Sequence, residues 1–262
     1  MGLDIEEQNL KWMIETTDLT KRFGNFTAVK NLNLRVKRGE IYGFLGPNGA
    51  GKTTTIKMLN CLLNPSSGSA RIAGFDIIKD ALKVKTITGY LPETPFLYDR
   101  LTGKEFLDFV AELYGVDDAR KERKVNNLLR MFTLTEKADS LIQGYSHGMR
   151  QKIGIAAALI HDPKVLFLDE PTIGLDPKSA RMVKDILREL VNRGSTVFMS
   201  THVLEIAEKM CDEVGIVNHG TLIASGSIET LRKSEQGDSL EDIFLELTGE
   251  PEYQDVMRYL ED

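Results

Sequence analysis

Residues 46–54 read GPNGAGKTT, and this string decides how the rest of the chain is interpreted. An apolar run at 41–45 precedes it, as in a buried strand, and TIKML at 55–59 follows it, as at the start of a helix. The spacing G-x-x-x-x-G-K-T between a strand and a helix is the Walker A signature. Its glycines let successive backbone N–H groups point at an anion, and the helix N-terminus adds unpaired donors. We therefore expect a nucleotide triphosphate to bind here.

Two side chains of this loop have specific roles in the expected chemistry. Lys52 is expected to reach the β- and γ-phosphates, which makes it a catalytic as well as a binding residue. The Thr53 hydroxyl is expected to bind Mg²⁺. The residues predicted to hold the nucleotide are Asn48, Gly49, Ala50, Gly51, Lys52, Thr53 and Thr54.

The composition is that of an ordinary globular protein. Of 262 residues, 42% are hydrophobic and 27% are charged, and the formal net charge of −6 argues against a nucleic-acid partner. No apolar run approaches the roughly 18 residues that a membrane span needs, and residues 1–12 lack the apolar region of a signal peptide. The two cysteines, Cys61 and Cys211, suggest neither a disulfide framework nor a metal site. We therefore expect a cytoplasmic protein.

Strand and helix patterns alternate along the chain. Residues 16–36 predict two strands with a turn at Gly24-Asn25, and a helical block at about 93–161 is inserted between strands. From residue 165 onward strands and helices alternate again, which predicts a mostly parallel α/β sheet. Two helices of the block, at 104–114 and 121–132, are amphipathic. Their predicted apolar sides are Phe106, Phe109, Val110, Leu113 and Tyr114 in the first helix, and Val125, Leu128, Leu129 and Phe132 in the second.

A second set of polar residues follows buried strands in the latter half of the chain. The apolar run 165–168 leads into Asp169 and Glu170, and buried carboxylates need a compensating role because an unpaired buried charge is costly. We expect Asp169 to bind Mg²⁺ and Glu170 to polarise the attacking water, although a solvated turn is the simpler alternative. His202 follows another apolar strand, at the carboxyl edge where sites of α/β proteins assemble, and is a further catalytic candidate.

Further strings complete an ordered set of motifs. YSHGM at 145–149 opens an Ala-rich helix, DEPT at 169–172 contains the two carboxylates, and GLD at 174–176 precedes His202. In this order they resemble the signature, Walker B, D-loop and switch histidine of the ABC-type ATP-binding cassette. The resemblance covers roughly 14–231. It implies a P-loop NTPase core with a mostly parallel sheet, an N-terminal antiparallel β subdomain, an inserted α-helical subdomain at about 93–161 and a helical tail at 232–262.

The resemblance also implies a composite site. Members of the family form a head-to-tail dimer that holds two ATP molecules, each between the P-loop of one subunit and the signature of the other. Ser146 and Gly148 are then expected at the γ-phosphate across the interface, with Asp176 at the dimer seam. Phe23 matches the aromatic position that stacks on adenine, and a core aromatic in an edge strand is its alternative interpretation. Because stacking discriminates bases poorly, the same surface would also accept GTP.

Two positions depart from the usual family pattern. Glu93 stands where glutamine is usual, and its carboxylate still suits Mg²⁺ together with Thr53 and Asp169. His147 stands where glycine is usual, and a residue with a Cβ fits there only if φ is negative or strain is tolerated. Both departures, and the C-terminal run at 239–248, resemble an exporter branch of the family.

The resemblance implies partners as well. With no predicted membrane span, such a subunit depends on a separate integral membrane permease, and we expect it on the inner face of the cell membrane. The permease is expected to dock around Phe96, Leu97 and Tyr98, where an exposed apolar patch would mark the interface. A second ATP-binding subunit would complete a homodimer or a heterodimer.

Other functions stay open at this point. A soluble ABC ATPase of translation or DNA maintenance is disfavoured by the single cassette with about 90 residues between Lys52 and Ser146. A P-loop GTPase or small-molecule kinase is disfavoured because the chain contains no N-K-x-D string. A catalytically weak heterodimer partner is disfavoured by the complete Walker B and switch residues. The transported substrate is not encoded in this chain.

Overall fold

The computed structural model describes residues 10–235 and 239–249. Within them the strands are β1 (Trp12–Phe23), β2 (Phe26–Lys37), β3 (Ile41–Leu45), β4 (Ser67–Ile72), β5 (Phe75–Asp76), β6 (Thr88–Leu91), β7 (Val165–Asp169), β8 (Thr196–Thr201), β9 (Glu213–Asn218) and β10 (Thr221–Gly226). The α-helices are α1 (Lys52–Leu59), α2 (Ala81–Ile87), α3 (Gly103–Leu113), α4 (Asp118–Met131), α5 (His147–Leu159), α6 (Pro177–Asn192), α7 (Leu204–Met210), α8 (Ile228–Glu235) and α9 (Leu240–Thr248).

These strands form two sheets of different character. The first has the order β2-β1-β4-β5, and its strand pairs are antiparallel. The second has the order β10-β9-β3-β8-β7-β6 and is parallel apart from the β9–β10 hairpin. The predicted class, an α/β core with a mostly parallel sheet and an N-terminal antiparallel β region, is confirmed.

The central strands of the second sheet are buried on both faces, and their side chains alternate between two hydrophobic clusters. Tyr42, Phe44 and Phe198 enter the cluster beneath the antiparallel sheet and α1, where Tyr42 and Phe198 stack with ring centroids 5.6 Å apart. Ile41, Leu45 and neighbouring strand residues enter the cluster built with α5, α6 and α7. This two-residue alternation fixes which face of each strand meets which layer.

Parallel strands also bring their carboxyl ends to one edge of the sheet. The P-loop follows β3, Asp169 ends β7, and His202 follows β8. Since β3, β8 and β7 are neighbours, residues that are more than a hundred positions apart in sequence meet at this edge.

The predicted apolar side of α3 is wrong in part. The helix buries Gly103, Phe106, Leu107 and Ala111, while Phe109 and Leu113 are 41% and 72% exposed. Close packing explains the difference, because a Cβ on Gly103 would lie 2.2 Å from the Tyr145 hydroxyl. The side of α3 that contains Gly103 therefore packs against Tyr145 of the same subunit. Phe109 and Leu113 are left exposed to solvent.

The second predicted helix behaves as expected. Val125, Leu128, Leu129 and Phe132 are all buried, at the inner face of α4 and its C-cap. The helical segments α3, α4 and α5 lie between β6 and β7, and residues 93–102 form an irregular segment before α3. The sequence did not indicate α2, β5 or β10.

The C-terminal part is continuous with the core. The expected boundary between 231 and 232 falls inside α8, and Leu240 and Ile243 of α9 are buried in the same cluster as β3 and α5. Residues 250–262 of the predicted tail lie outside the described part. Among the described residues, none of the helices combines the length and the apolar character needed to cross a membrane.

Candidate active site

A cleft of about 430 Å³ opens at the carboxyl edge of the parallel sheet. It brings together the predicted site residues Phe23, Asn48, Gly49, Gly51, Lys52, Thr53, Thr54, Glu93, Asp169, Glu170 and His202. Phe26 and Ala28 also line it, and neither was singled out from the sequence. The cleft therefore combines an anion-binding loop, carboxylates, a histidine and two aromatic rings.

The P-loop conformation depends on close backbone contacts. Gly51 has φ +102°, and a Cβ there would lie 2.4 Å from the Ala28 carbonyl oxygen, so only glycine fits without rearrangement. Helix α1 starts at the next residue, and its N-cap offers no side-chain hydrogen bond to the first N–H groups. These donors are thus available to an anion at the helix N-terminus.

Ala50 is placed differently from the other loop residues that were predicted to hold the nucleotide. It is 3% exposed, packs in the hydrophobic cluster and does not line the cleft. Its N–H donates to Pro47 O (3.2 Å), and its carbonyl accepts from the Gly220 N–H (3.0 Å). Ala50 therefore anchors the loop to the β9–β10 turn, and its N–H is engaged in a turn of its own.

Lys52 lies inside the loop. Its Nζ donates to the carbonyl oxygens of Gly46 (2.7 Å) and Pro47 (3.1 Å), and the residue is 7% exposed. Burial lowers the pKa of Lys52, and the nearby Glu170, Asp169 and Glu93 oppose this by favouring the cation. An anion at the loop would add a further counter-charge to this partly desolvated ammonium.

Asp169 meets one requirement of a metal ligand. It is 1% exposed, its Oδ1 accepts a hydrogen bond from the Ser200 hydroxyl, and its Oδ2 is buried with no hydrogen-bond partner. A buried carboxylate oxygen without a partner is costly unless a cation or another donor approaches it. Among the described residues no group of three or more His, Cys, Asp or Glu side chains could hold a metal ion. Residues present in the cleft thus fit Mg²⁺ only as partial ligands, as Mg²⁺ sites with phosphate oxygens do.

Glu170 is held in an unusual backbone conformation. Its φ is +51°, a left-handed value that costs roughly 1 kcal/mol or more for a residue with a Cβ. Its N–H donates to Ser200 O (3.1 Å), its Oε1 lies 2.7 Å from His202 Nδ1, and its buried Oε2 has no partner. This arrangement holds one carboxylate oxygen against the histidine and leaves the other available to accept a proton.

Two aromatic rings form the outer wall of the cleft. Phe23 and Phe26 face each other across the Gly24-Asn25 turn, and they are 49% and 62% exposed. Because β1 lies between β2 and β4, the interpretation of Phe23 as a core residue of an edge strand is wrong. The pairing also shows how Phe26 could have been found: directly opposed residues of a tight hairpin share one face of the sheet.

The signature turn lies outside this cleft. Ser146 is exposed and caps α5, where its hydroxyl accepts from the Met149 N–H (3.3 Å). His147 is helical and has no positive φ, so its Cβ causes no strain at this position. Asp176 caps α6 by accepting from the Ser179 N–H and hydroxyl, and these hydrogen bonds lower the pKa of Asp176. Ser146, Gly148 and Asp176 do not line the nucleotide cleft of their own chain.

Comparisons with known proteins agree with this geometry. The family model described as ABC transporter matches residues 29–173. The chain belongs to the ABC transporter family. NatA of Bacillus subtilis (strain 168), an ABC transporter ATP-binding protein, is 38% identical over 89% of this chain and 97% of its own length. The daunorubicin/doxorubicin resistance ATP-binding protein DrrA of Streptomyces peucetius is 41% identical over 84% of this chain and 67% of its own length.

A solved structure described as the ATP binding subunit of an ABC transporter has the same fold. It superposes with a TM-score of 0.85 at 34% sequence identity, covering 90% of this chain and 99% of that one. The protein is thus an ATP-binding subunit of the ABC transporter family, and it is an ATPase. Membership of this family removes the GTPase-switch and small-molecule kinase alternatives.

Proposed function

We propose that this ABC ATPase hydrolyses Mg²⁺-ATP at the interface of two subunits and powers a separate membrane permease in export. One observation carries the composite site. The cleft gathers the P-loop, both Walker B carboxylates and His202, whereas the signature Ser146 is an exposed helix cap outside it. A signature turn that serves a nucleotide must therefore be supplied to this cleft by a second subunit.

The residues of the cleft divide into phosphate, metal and water roles. The N-terminal N–H groups of α1 and the Lys52 ammonium would hold the phosphates. Thr53, Asp169 and Glu93 are the proposed ligands of Mg²⁺, which when bound would neutralise charge on the phosphate oxygens. The partnerless Oδ2 of Asp169 supports this assignment.

Glu170 is the proposed general base. Its free Oε2 would accept a proton from the attacking water, while His202 holds Oε1 and fixes the carboxylate orientation. Glu170 lines the cleft while its backbone is in the left-handed region, a conformation that often occurs at functional sites.

The base of the nucleotide would lie on Phe23 and Phe26. Aromatic stacking contributes about 1–3 kcal/mol per base and reads base identity poorly, so ATP and GTP would both be accepted.

The permease would dock on an apolar groove beside the cleft. This groove, of about 450 Å³, is lined in part by Leu62, Pro95, Phe96, Leu97, Val110 and Tyr114. Phe96 is 90% exposed, and it lies three positions after Glu93 of the nucleotide cleft. A cytoplasmic helix of the permease would cover these rings and would place the chain on the inner face of the membrane.

Export is proposed from the relatives rather than from the site. The chain shares 41% identity with a protein named for drug resistance. The cargo itself would be selected by the permease.

The substitution Glu170→Gln tests the composite site. We expect ATP to bind with unchanged affinity, turnover to fall about 100-fold or more because the base is lost, and ATP to trap a dimer detectable by size-exclusion chromatography. Glu189→Gln, on the exposed face of α6, is the matched control and should change none of these. Normal turnover by the Glu170 variant would remove the role assigned to it.

A further inference from the structure

The N-terminal turn of α5 is fastened to the loop that follows β7 in the same chain. Gln151 is 1% exposed, and its Nε2 donates to Pro171 O (3.2 Å). A Cβ on Gly148 would lie 3.5 Å from Gly174 O and 3.7 Å from Leu175 Cδ2, which is ordinary contact distance. The turn bearing Ser146 thus packs against the loop that joins Glu170 to Asp176.

His147 makes the tightest of these contacts. Its imidazole covers Gly174, where a Cβ would lie 2.1 Å from His147 Cδ2 and 2.6 Å from Nε2. Gly174 has φ +73°, a conformation that favours glycine independently of the space around it. The imidazole therefore occupies the volume that any side chain at position 174 would need.

The loop beneath His147 has little freedom of its own. The Ile173 N–H donates to Glu170 O (3.3 Å) and the Leu175 N–H to Thr172 O (3.2 Å), so consecutive turns connect Glu170 to Asp176. Asp176 is then held as the N-cap of α6. The α5 turn therefore contacts this loop at two points, through His147 at Gly174 and through Gln151 at Pro171.

We infer that His147 is a positioning residue that locks the D-loop to the signature turn of the same subunit. The inference rests on the proposed dimer, in which Ser146 faces the partner's ATP and Glu170 faces the subunit's own ATP. With the lock in place, the signature turn and the D-loop move as one body. Each nucleotide site of the dimer is therefore coupled to the other. An imidazole fulfils this role because it spans the gap to Gly174 that a glycine at position 147 would leave open.

A compensation experiment on the intact chain tests the lock. Gly174→Ala should lower the kcat of ATP hydrolysis about 20-fold, because the new methyl group and the imidazole cannot share one volume. His147→Ala removes the obstructing atoms, so the double variant should be about 5-fold more active than Gly174→Ala alone despite the remaining backbone strain. His147→Ala by itself should keep nucleotide affinity and lower the Hill coefficient for ATP hydrolysis towards one.

Gly115→Ala is the matched control, since Gly115 has φ +67° with nothing within 4 Å of its would-be Cβ. It carries the same backbone strain without the steric contact and should leave kcat within about 2-fold of the parent. If the double variant has only the product of the two single losses, or His147→Ala keeps full cooperativity, the lock is disproved. If Gly174→Ala does not fold, the Hill coefficient of His147→Ala alone tests the lock: a fall towards one supports it, and an unchanged value disproves it. Failure of Glu170→Gln to dimerise with ATP would instead remove the dimer on which the lock depends.

Discussion

The nucleotide cleft and the signature surface are built in opposite ways. In the cleft, polar residues that lie at or beyond the carboxyl ends of β3, β7 and β8 are brought together. Lys52, Asp169 and Glu170 are buried there, and both carboxylates keep one oxygen without a partner. On the signature surface, Ser146 and Asp176 are helix caps whose oxygens already accept hydrogen bonds within the chain. The cleft thus contains buried oxygens without hydrogen-bond partners, whereas the cap oxygens of the signature surface are exposed and already accept hydrogen bonds.

This difference shows what each region requires. Buried oxygens without partners need a cation or a donor, which the metal-bound nucleotide and the attacking water of the proposed function would supply. A capped and exposed turn needs nothing to be stable, so it is free to be a contact surface for another subunit. In the proposed dimer, the chain would therefore contribute its cleft to one nucleotide site and its signature turn to the other.

The strongest test of this comparison mixes two inactive variants. Glu170→Gln disables the cleft, and Ser146→Arg blocks the signature surface, so each alone should lose about 100-fold or more of its ATPase activity. When equal amounts are combined before ATP is added, half of the dimers contain one of each variant and one intact site, so about a quarter of the parent activity should return. Steady-state ATPase assays of the mixture measure it. Activity no higher than in the separate variants would mean that the two regions do not serve one site.

A charged substitution in the exposed groove should distinguish the role of the groove from that of the cleft. Phe96→Asp should lower recovery of the chain with membrane vesicles that contain its permease by about 10-fold, since it places a carboxylate in an apolar contact, and should leave the ATPase of the isolated chain unchanged. Leu82→Asp is the control, because Leu82 is 77% exposed but does not line the groove. Recovery with ribosomes or DNA instead of membranes would contradict the permease proposal.

The aromatic wall of the cleft predicts a smaller effect. Phe26→Ala should weaken ATP binding about 5–10-fold, in line with the loss of roughly 1 kcal/mol of stacking, as should Phe23→Ala. Binding of inorganic tripolyphosphate, which has no base, should not change. Titration calorimetry of both ligands measures this difference, and an equal loss for tripolyphosphate would show that the hairpin, rather than the base contact, had been damaged.

The smallest expected effect concerns His161, beneath the groove. Its Nε2 donates to Thr88 O (3.0 Å), its ring stacks on Tyr114 at 3.8 Å, and burial lowers its pKa below the usual 6.5. The unfolded chain therefore binds a proton at higher pH than the folded one, so the free energy of unfolding should fall as pH drops below about 6.5. Urea unfolding of His161→Gln should show a weaker pH dependence between pH 7 and 5. A slope equal to that of the parent would assign the effect to other groups.

Local patterns predicted most of the fold and many residues of the cleft, and packing explains the failures. The buried side of α4 was predicted correctly because the large apolar residues Val125, Leu128 and Leu129 lie on one side of that helix. On α3, apolar residues occupy more of the circumference than the core can cover, and Gly103 and Ala111 decided the orientation by permitting close approach. Phe26 and the anchoring role of Ala50 escaped prediction because they depend on strand pairing and on contact with the distant β9–β10 turn.

The sequence by itself determined the chemistry of this protein: a phosphate-binding loop, two carboxylates after a buried strand, a histidine after another, and a signature string, in the order of an ABC ATPase. It could do so because each motif is a short segment whose conformation follows from its own residues and their neighbours. Only the tertiary structure decided that Glu170 forms a hydrogen bond with His202, that Phe26 lines the cleft beside Phe23, and that His147 packs over Gly174. Each of these contacts joins segments whose separation in space is set by the packing of strands and helices, and no local pattern encodes that distance.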